Sequence, residues 1–326
     1  MRMTNTLLSV EGLQVHFRTI QGVLRAVNNV SLEIKEAESY GLVGESGCGK
    51  SVTALSILRL LPPNARIVSG RIIFKGRNLL ELDDQEIRRV RGREISLVSQ
   101  DPQTSLDPVF TMGDQIAEAI YIHQRLVKGE VVKRSVSMLK SVGIPEPEVR
   151  KDQYPHQFSG GMKQRAIIAM AISNTPNLII ADEPTTALDV TIQAQIIDLL
   201  KTLRKQGVAV LLTTHNMGLV AELCERLSVM YAGYVVETSD VYSVFKNPRH
   251  PYTRGLIDSI PRLGVKRSEL RCIPGVVPNP LNLPRHCVFQ PRCMYAEDIC
   301  LSRMPELLDV GGGTKVACHL VQKGRL

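Results

Sequence analysis

The stretch SYGLVGESGCGKS (residues 39–51) decides the fold, because it joins a short apolar strand to a glycine-rich loop and then to the helical run SVTALSILRLL. The loop matches G-x-x-x-x-G-K-S, the P-loop pattern, in the strand–loop–helix context that this pattern requires. Its glycines allow the backbone to form a concave nest whose N–H groups point at phosphate oxygens. We expect Lys50 to reach the β- and γ-phosphates of a nucleotide and the Ser51 hydroxyl to bind Mg²⁺. The residues expected to surround the phosphates are Gly44, Glu45, Ser46, Gly47, Cys48, Gly49, Lys50, Ser51 and Val52.

Two details of this region give further expectations. The run LPPN (61–64) predicts the end of the helix, because proline cannot continue it. Cys48 lies inside the loop, where a helix N-terminus lowers the pKa of a thiol, so a redox switch is one hypothesis. The alternative, which we favour, is a small residue at a permissive position.

Polar residues follow three further predicted strands. Gln100 follows EISLVS, Asp182 and Glu183 follow NLIIA, and His215 follows VAVLLTT. Ligands of open α/β sheets bind at the carboxyl ends of the strands, so we expect these side chains to face the phosphate loop. Asp182 is expected to support Mg²⁺ and Glu183 to orient or polarise a water. Gln100 and His215 are expected to hydrogen-bond the γ-phosphate or the ligand shell of Mg²⁺.

A second anion-binding helix is predicted at QFSGGMKQRAIIAMAI (157–172). Ser159 is a good N-cap residue, and the helix that opens at Gly160 and Gly161 presents bare N–H groups at its start. The preceding runs GDQIAEAIYIHQRL and VVKRSVSMLKSVG also indicate helices. We therefore place the second anion site on a helical arm, away from the P-loop.

The composition is that of a globular protein of about two domains: 326 residues, 44% hydrophobic and 22% charged. No apolar run reaches the ~18–20 residues that span a bilayer, and we see no signal peptide, so a cytosolic protein is expected.

Residues 240–326 hold 13 Lys and Arg against 7 Asp and Glu, which accounts for most of the net charge of +8. A basic surface suits nucleic acid, an anionic membrane face or, as we favour, simple solvation. Trp is absent and aromatics are 4%, so the aromatic interleaving that a single-strand binder needs is missing, and no nucleic-acid partner is expected.

Taken together, GESGCGKS, Gln100, FSGGM, LIIADE, ALD (187–189) and His215 resemble the ATP-binding cassette (ABC) ATPases over residues ~7–245. The runs SQDPQTSLDPVFTMGDQIAE and NPRHPYTRGLIDSIPRL (247–263), with the cysteines that follow, look like the di-/oligopeptide and nickel importer subfamily. The resemblance implies an α/β fold: a RecA-like P-loop core, an antiparallel β subdomain, a helical signature subdomain at about 101–173 and a small cysteine-rich C-terminal extension. It places the cassette at residues 1–245 and the extension at 246–326.

The resemblance also implies an ATPase that works as a head-to-tail pair. The helix start formed by Ser159, Gly160, Gly161 and Met162 of one cassette completes the γ-phosphate site on the P-loop of the other. ATP holds the pair together, and its hydrolysis drives two membrane-spanning permease subunits at the cytoplasmic face of the membrane. The second cassette is expected to be a different chain, and an extracytoplasmic solute-binding protein to be an indirect partner.

Three positions bear on how closely the family pattern is kept. Phe158 and Met162 stand where the family commonly has Leu and Gln, which leaves the backbone donors in place. Phe17 is the candidate for the aromatic residue that stacks on adenine. Glu183 is intact, so this chain's own P-loop site is expected to hydrolyse ATP.

The tail carries four cysteines, Cys287, Cys293, Cys300 and Cys318, whose spacing matches neither a zinc ribbon nor a ferredoxin. Four soft thiolates suit an iron–sulfur cluster or tetrahedral zinc, in a segment that we expect to be rich in loops. The subfamily resemblance favours a 4Fe–4S cluster with a structural role, with zinc as the alternative. Nearby arginines, including Arg292, are expected to offset the charge of the thiolates, and His286 and His319 are possible substitute ligands.

Two other classes of function remain open on the residues alone. One is a soluble cassette ATPase of DNA repair or translation, although the chain has a single P-loop and no long coiled-coil insertion. The other is a redox-responsive binding module, against which the intact Glu183 argues. The sequence of an ATPase subunit does not identify the cargo of an importer, because other subunits select it. Nickel chelates and oligosaccharides therefore remain alternatives to peptides.

Overall fold

The computed structural model describes residues 5–124, 126–186, 188–260 and 272–326. Ala187 of the ALD run and residues 261–263 of the NPRHPYTRGLIDSIPRL run lie outside the described residues. The chain divides into two units. The helical unit comprises Lys35–Glu38 and Glu81–Leu212, and the P-loop unit comprises Asn5–Ile34, Ser39–Leu80 and Thr213–Leu326.

The strands are named in chain order. They are β1 (Thr6–Thr19), β2 (Gly22–Lys35), β3 (Ser39–Val43), β4 (Ala65–Phe74), β5 (Arg77–Asn78), β6 (Ile95–Val98), β7 (Leu178–Asp182), β8 (Ala209–Thr214), β9 (Arg226–Tyr231), β10 (Tyr234–Asp240), β11 (Leu308–Asp309) and β12 (Lys315–Val316).

The helices follow the same convention. They are α1 (Lys50–Ile57), α2 (Asp84–Val90), α3 (Pro102–Ser105), α4 (Met112–Tyr121), α5 (Lys128–Ser141), α6 (Pro147–Arg150), α7 (Gly160–Ile172), α8 (Val190–Lys205), α9 (Met217–Leu223), α10 (Val241–Lys246), α11 (Pro251–Asp258), α12 (Ile299–Ser302) and α13 (His319–Gln322).

An antiparallel sheet forms the N-terminal part of the P-loop unit, with the strand order β2-β1-β4-β5. Strand β1 pairs antiparallel with β4, with Leu8 opposite Phe74. In the second half of β2, buried Val30, Leu32 and Ile34 alternate with exposed residues. This period of two is what a strand shows when one of its faces is packed and the other is solvated.

A second set of strands in the P-loop unit runs in the order β11-β12-β10-β9-β3. All five residues of β3 are buried, and β3 pairs parallel with β9, with Val43 opposite Val229. Strand β9 pairs antiparallel with β10, which in turn pairs with β12 of the tail. The last residues of the chain form a small apolar cluster of Val316, Cys318, Leu320 and Val321, which packs against Val310 and Leu326.

The helical unit contains the parallel pair β6 and β7, with β8 beside β7. The strands β7 and β8 are buried along their whole length, as expected for strands covered on both faces. Helices α4, α5 and α7 contact one another. The strands predicted at these positions and the helices predicted in residues 113–143 are confirmed, and α7 begins at Gly160 as expected.

Helix α1 ends earlier than LPPN predicted. Arg59 has a φ of +53°, and its N–H donates to the carbonyl of Ser56 at 3.0 Å, while the N–H of Leu60 donates to the carbonyl of Leu55 at 2.9 Å. This pair of bonds is a Schellman motif, which closes a helix without help from proline. The expectation that proline ends α1 was therefore wrong.

Where the structure describes it, the tail is rich in loops, as predicted, and its helices and strands are short. Within the described ranges, no helix combines the length and the apolarity needed to cross a bilayer.

Candidate functional site

The loop after β3 forms a cradle around the Lys50 side chain. Lys50 Nζ donates to the carbonyls of Gly44 at 2.9 Å and Glu45 at 3.1 Å, and the residue is 3% exposed. Gly49 is the N-cap residue of α1, so the loop runs directly into the helix N-terminus. A lysine ammonium and a helix N-terminus on one loop both attract anions, and they lie where the sequence predicts a phosphate site.

Two of the loop glycines are required by close backbone contacts. A Cβ atom on Gly44 would lie 2.2 Å from the carbonyl oxygen of Met230, and one on Gly49 would lie 2.5 Å from that of Ala26. Both residues also have positive φ, +155° and +106°, which side chains disfavour. Gly47 has a φ of +77° and open space around it, so only its backbone conformation, and no close contact, favours glycine there.

Cys48 is buried, and burial raises the pKa of its thiol, an effect that nearby Lys50 only partly offsets. The redox-switch hypothesis depends on a lowered thiol pKa and is therefore not supported, because desolvation of the thiolate outweighs the effect of the helix N-terminus. A thiol that stays protonated is a poor nucleophile, so Cys48 fits the role of a small packed residue.

Glu45 is held by two residues of the C-terminal part of the chain. Its N–H donates to the hydroxyl oxygen of Tyr252 at 2.9 Å, and its carboxylate accepts two bonds from Arg292, at 2.8 and 3.0 Å. Sequence reasoning missed both contacts. Tyr252 lies in the HPYT run, which was used only as a subfamily marker, and Arg292 was expected to face the thiolates.

The helical unit brings Gln100 and Glu183 together. Gln100 Nε2 donates to Glu183 Oε2 at 3.2 Å, and the Thr186 hydroxyl donates to the same oxygen at 3.0 Å. Glu183 directly follows β7 and has a φ of +44°, a left-handed conformation that is uncommon for a residue with a side chain. Strained backbone of this kind clusters at functional sites. Asp182 and Glu183 are 7% and 8% exposed, so both carboxylates are shielded from water.

Helix α7 begins as predicted. The Ser159 hydroxyl accepts from the N–H of Met162 at 3.3 Å, and Ser159 and Gly160 are exposed. A Cβ atom on Gly161 would lie 2.8 Å from Ile192, so glycine here allows α8 to approach closely. Arg165 donates to the carbonyls of Val142 and Gly143, which ties α7 to the end of α5. The start of α7 is thus a rigid, solvent-facing row of N–H donors.

The two remaining nucleotide-site candidates belong to the P-loop unit. His215 directly follows β8 and is exposed, and the next residue, Asn216, caps α9 by accepting from the N–H of Gly218 at 2.9 Å. Phe17 lies on β1 opposite Ala65 and is half-buried, so it is not a core aromatic. Both side chains therefore keep a surface on which a ligand can bind.

The four tail cysteines lie close enough for each thiol to interact electrostatically with the other three. Burial, followed by these interactions, raises the pKa of Cys287 to about 12. The N–H of Cys287 donates to the carbonyl of Cys300 at 3.2 Å. Among the residues that the structure describes, however, no three His, Cys, Asp or Glu side chains converge on a position for one metal ion.

The two histidines beside the cysteines differ in their contacts. His319 Nε2 pairs with the carbonyl of Arg303 at 3.0 Å, whereas His286 Nδ1 is buried without a hydrogen-bond partner. Of the two remaining cysteines, Cys224 is buried and Cys272 is exposed.

Two family profiles match this chain. The profile described as ABC transporter matches residues 27–186, and the profile described as the C-terminal region of oligopeptide/dipeptide transporters matches residues 236–300. The second match contains Tyr252, Arg292 and the first three of the tail cysteines.

Relatives match nearly the whole chain. It is 51% identical to a probable peptide ABC transporter ATP-binding protein of Sinorhizobium fredii, over 96% of this chain and 94% of the relative. It is 46% identical to a dipeptide transport ATP-binding protein of Escherichia coli, over 96% of both chains. A dimeric ATP-binding cassette, solved in a post-hydrolysis state with ADP and phosphate, aligns with a TM-score of 0.65 at 28% identity, covering 72% of this chain and 98% of that one.

Proposed function

This chain belongs to the ABC transporter family, and we propose that it is the ATP-hydrolysing subunit of an importer that carries di- and oligopeptides across the cytoplasmic membrane. The observation that carries the proposal is the match along 96% of the chain, at 46–51% identity, to ATP-binding proteins of peptide and dipeptide transport. That match includes the C-terminal region as well as the cassette. Residues 1–245 are assigned to the cassette and residues 246–326 to the extension.

Nucleotide binding follows from the P-loop cradle. The Lys50 ammonium is expected to leave its two carbonyl contacts, or to share them, when β- and γ-phosphate oxygens enter the loop. The N–H groups of residues 46–52 supply further donors at the start of α1. Phe17, half-buried on β1, is proposed to stack on the adenine.

The residues proposed to hold Mg²⁺ fit a hard cation, because Ser51, Gln100 and Asp182 all offer oxygen atoms and none offers sulfur. Mg²⁺, when bound, neutralises charge that builds up on the phosphates. The low exposure of Asp182 strengthens its attraction for a cation, because water screens it little.

Hydrolysis is proposed to depend on Glu183, with Gln100 and His215 as contacts of the γ-phosphate. The two bonds from Gln100 and Thr186 fix one carboxylate oxygen of Glu183, which limits how the side chain can turn. A carboxylate held in this way can orient a water for attack on the γ-phosphate and accept its proton.

The exposed start of α7, with Ser159, Gly160, Gly161 and Met162, is proposed to cap the γ-phosphate on the P-loop of a second cassette. The second cassette is proposed to be a different chain, and the pair to act on two permease subunits at the cytoplasmic face of the membrane. A solute-binding protein outside the membrane would deliver the peptide and touch this chain only indirectly.

The four tail cysteines are proposed to hold a 4Fe–4S cluster with a structural role. The mutual approach of all four thiols supports this, because thiolates are the ligands that iron–sulfur clusters take. The cluster would cross-link a segment of short elements. Tetrahedral zinc on the same thiols is the alternative.

The proposal is tested by deleting this chain from cells that depend on an imported dipeptide and restoring it with variants. Growth should return with the wild-type chain and fail with Glu183→Gln. If the chain restores growth only on nickel chelates or on oligosaccharides, the cargo is that nutrient and not a peptide. ATP turnover stimulated by DNA or ribosomes, and not by the permease subunits, would indicate a repair or translation ATPase.

A further inference from the structure

The Arg292 guanidinium makes five hydrogen bonds, two of them to Glu45 of the P-loop. Its guanidinium donates to both carboxylate oxygens of Glu45, to the carbonyls of Ile273 and Pro274, and to the hydroxyl of Tyr231 at 3.4 Å. These five acceptors match the five N–H donors of a guanidinium. The side chain is only 5% exposed, so the contact is a largely buried ion pair and not a surface one.

Three aromatic side chains pack together beside this ion pair, and one of them, Tyr252, makes a second contact with the P-loop. The rings of Tyr231 and Tyr252 have centroids 4.7 Å apart, and Phe289 lies 5.1 and 5.5 Å from them. The hydroxyl oxygen of Tyr252 accepts the N–H of Glu45 at 2.9 Å. The backbone and the side chain of Glu45 are thus both fixed by the C-terminal part of the chain.

The position of Tyr252 is itself set by buried polar groups. The Glu237 carboxylate accepts the N–H groups of Arg249 and His250, at 2.9 and 2.8 Å, and His250 Nδ1 accepts the N–H of Tyr252 at 3.1 Å. These bonds fix the first turn of α11, from which the Tyr252 ring extends. Bonds of this kind hold a side chain in one place and leave it little freedom to adapt.

The ion pair with Arg292 neutralises the negative charge of Glu45 in the P-loop. Glu45 stands in a loop that receives a polyphosphate, where an unpaired carboxylate would repel the ligand. Arg292 cancels that charge through a two-point contact, the strong form of an Arg–carboxylate pair.

We propose that Arg292 is a positioning residue of the nucleotide site, which pairs the Glu45 carboxylate and so keeps the P-loop receptive to a triphosphate. The inference rests on the proposed binding of ATP to this loop. Arg292 directly precedes Cys293, so the segment proposed to carry the metal cluster also carries the residue that conditions the loop.

The test measures the Kd of a fluorescent ATP analogue for the full chain. Arg292→Gln should raise the Kd about tenfold, since losing a charged hydrogen-bond partner is worth that order of magnitude. Arg292→Lys keeps the positive charge but not the two-point contact, so its Kd should lie between those of the wild-type chain and of Arg292→Gln. Adding Glu45→Gln to Arg292→Gln should bring the Kd back towards the wild-type value, because no unpaired carboxylate remains.

Two further measurements separate this role from simple support of the fold. The defect of Arg292→Gln should be larger for the ATP analogue than for the ADP analogue, and it should shrink at high salt, because repulsion depends on charge and is screened. Arg325→Gln is the matched control, since Arg325 forms an exposed ion pair with Glu297 in the same part of the chain.

The proposal is overturned if Arg292→Gln, folded as judged by its melting temperature, binds the ATP analogue with the wild-type Kd. It is also overturned if Glu45→Gln does not restore binding to the Arg292 variant, or if the defect is the same for ADP and independent of salt. A wild-type chain that binds no nucleotide would instead refute the proposed function.

Discussion

Gln100 Nε2 lies 3.2 Å from Glu183 Oε2, although 83 residues separate the two in the chain. The contact joins the end of β6 to the end of β7, two parallel neighbours in the helical unit. It holds a shielded carboxylate in one orientation beside Asp182. A carboxylate held in this way suits the proposed role of Glu183 in orienting a water, and the first prediction tests that role.

Glu183→Gln is expected to lower ATP turnover by ~10²–10⁴-fold while ATP still binds, because the amide keeps the shape of the side chain and loses its basicity. With the partner cassette present, the ATP-bound variant should then accumulate as a cassette dimer. Phosphate release and size-exclusion chromatography with ATP measure the two effects. Glu118→Gln, on an exposed position of α4, is the control. Turnover at the wild-type rate in Glu183→Gln would remove Glu183 from this role.

Gly44→Ala is expected to abolish nucleotide binding, because the added Cβ would lie 2.2 Å from the carbonyl oxygen of Met230 and force the loop to move. Gly22→Ala is the matched control. Gly22 also has a positive φ, +129°, but no atom lies within 4 Å of the position that a Cβ would take, so only the conformational cost of ~1–2 kcal/mol applies. Nucleotide binding and the melting temperature are measured for both variants, and only Gly44→Ala should lose binding. Equal effects in the two variants would show that the close approach to Met230 is unimportant.

The stability of the P-loop unit is expected to fall as the pH drops below about 6.5. Burial lowers the pKa of His250 to about 3, so between about pH 6.5 and pH 3 the unfolded chain binds a proton at this residue and the folded chain does not. Protons therefore favour unfolding, with a slope of at most ~1.4 kcal/mol per pH unit. Urea unfolding at pH 7.5 and 5.5 measures the loss.

His250→Asn should reduce this pH dependence, because asparagine can still cap α11 but does not titrate. Glu237, whose pKa is raised by burial, contributes with the opposite sign and is present in both proteins, so it cancels in the comparison. His156→Asn, a substitution at an exposed histidine, is the matched control. Identical profiles for wild type and His250→Asn would contradict the assignment.

Protein purified without oxygen is expected to be brown and to contain iron bound by the tail thiols. Cys300→Ser, at a buried thiol of the group, should lose the colour and the iron, whereas Cys272→Ser, at an exposed thiol, should keep both. Visible absorption and elemental analysis provide the measurement. A colourless protein with one equivalent of zinc would establish the alternative metal.

Ser46→Cys and Ser159→Cys of this chain are each expected to form a disulfide with the partner cassette when hydrolysis is blocked with ATP present. The partner cassette then carries a cysteine at the position that aligns with 159 or with 46, respectively. Both positions are exposed, so neither substitution disturbs packing. Cys272 is replaced by serine to remove the exposed native thiol. The crosslink is followed by electrophoresis under non-reducing conditions. If trapped nucleotide never produces it, the head-to-tail arrangement is refuted.

Several features were predictable from sequence because each depends on residues close together in the chain. The strand before the P-loop, the cap at Ser159 and the helices of residues 113–143 follow from apolar runs and capping residues. The end of α1 was not predicted correctly, since Arg59 adopts a left-handed conformation that no local pattern announces. The loop-rich nature of the tail followed from its prolines and glycines, but its small apolar cluster around Val316 did not.

The sequence by itself determined the P-loop, the strands whose ends carry Gln100, Asp182 and His215, and the presence of four thiols in one segment. Only the tertiary structure decided that Arg292 pairs with Glu45, 247 residues away, and that burial raises the pKa of Cys48. Motifs and periodicity report on neighbours along the chain. Which charges meet, and how far water is excluded from them, depends on distant segments brought together by packing.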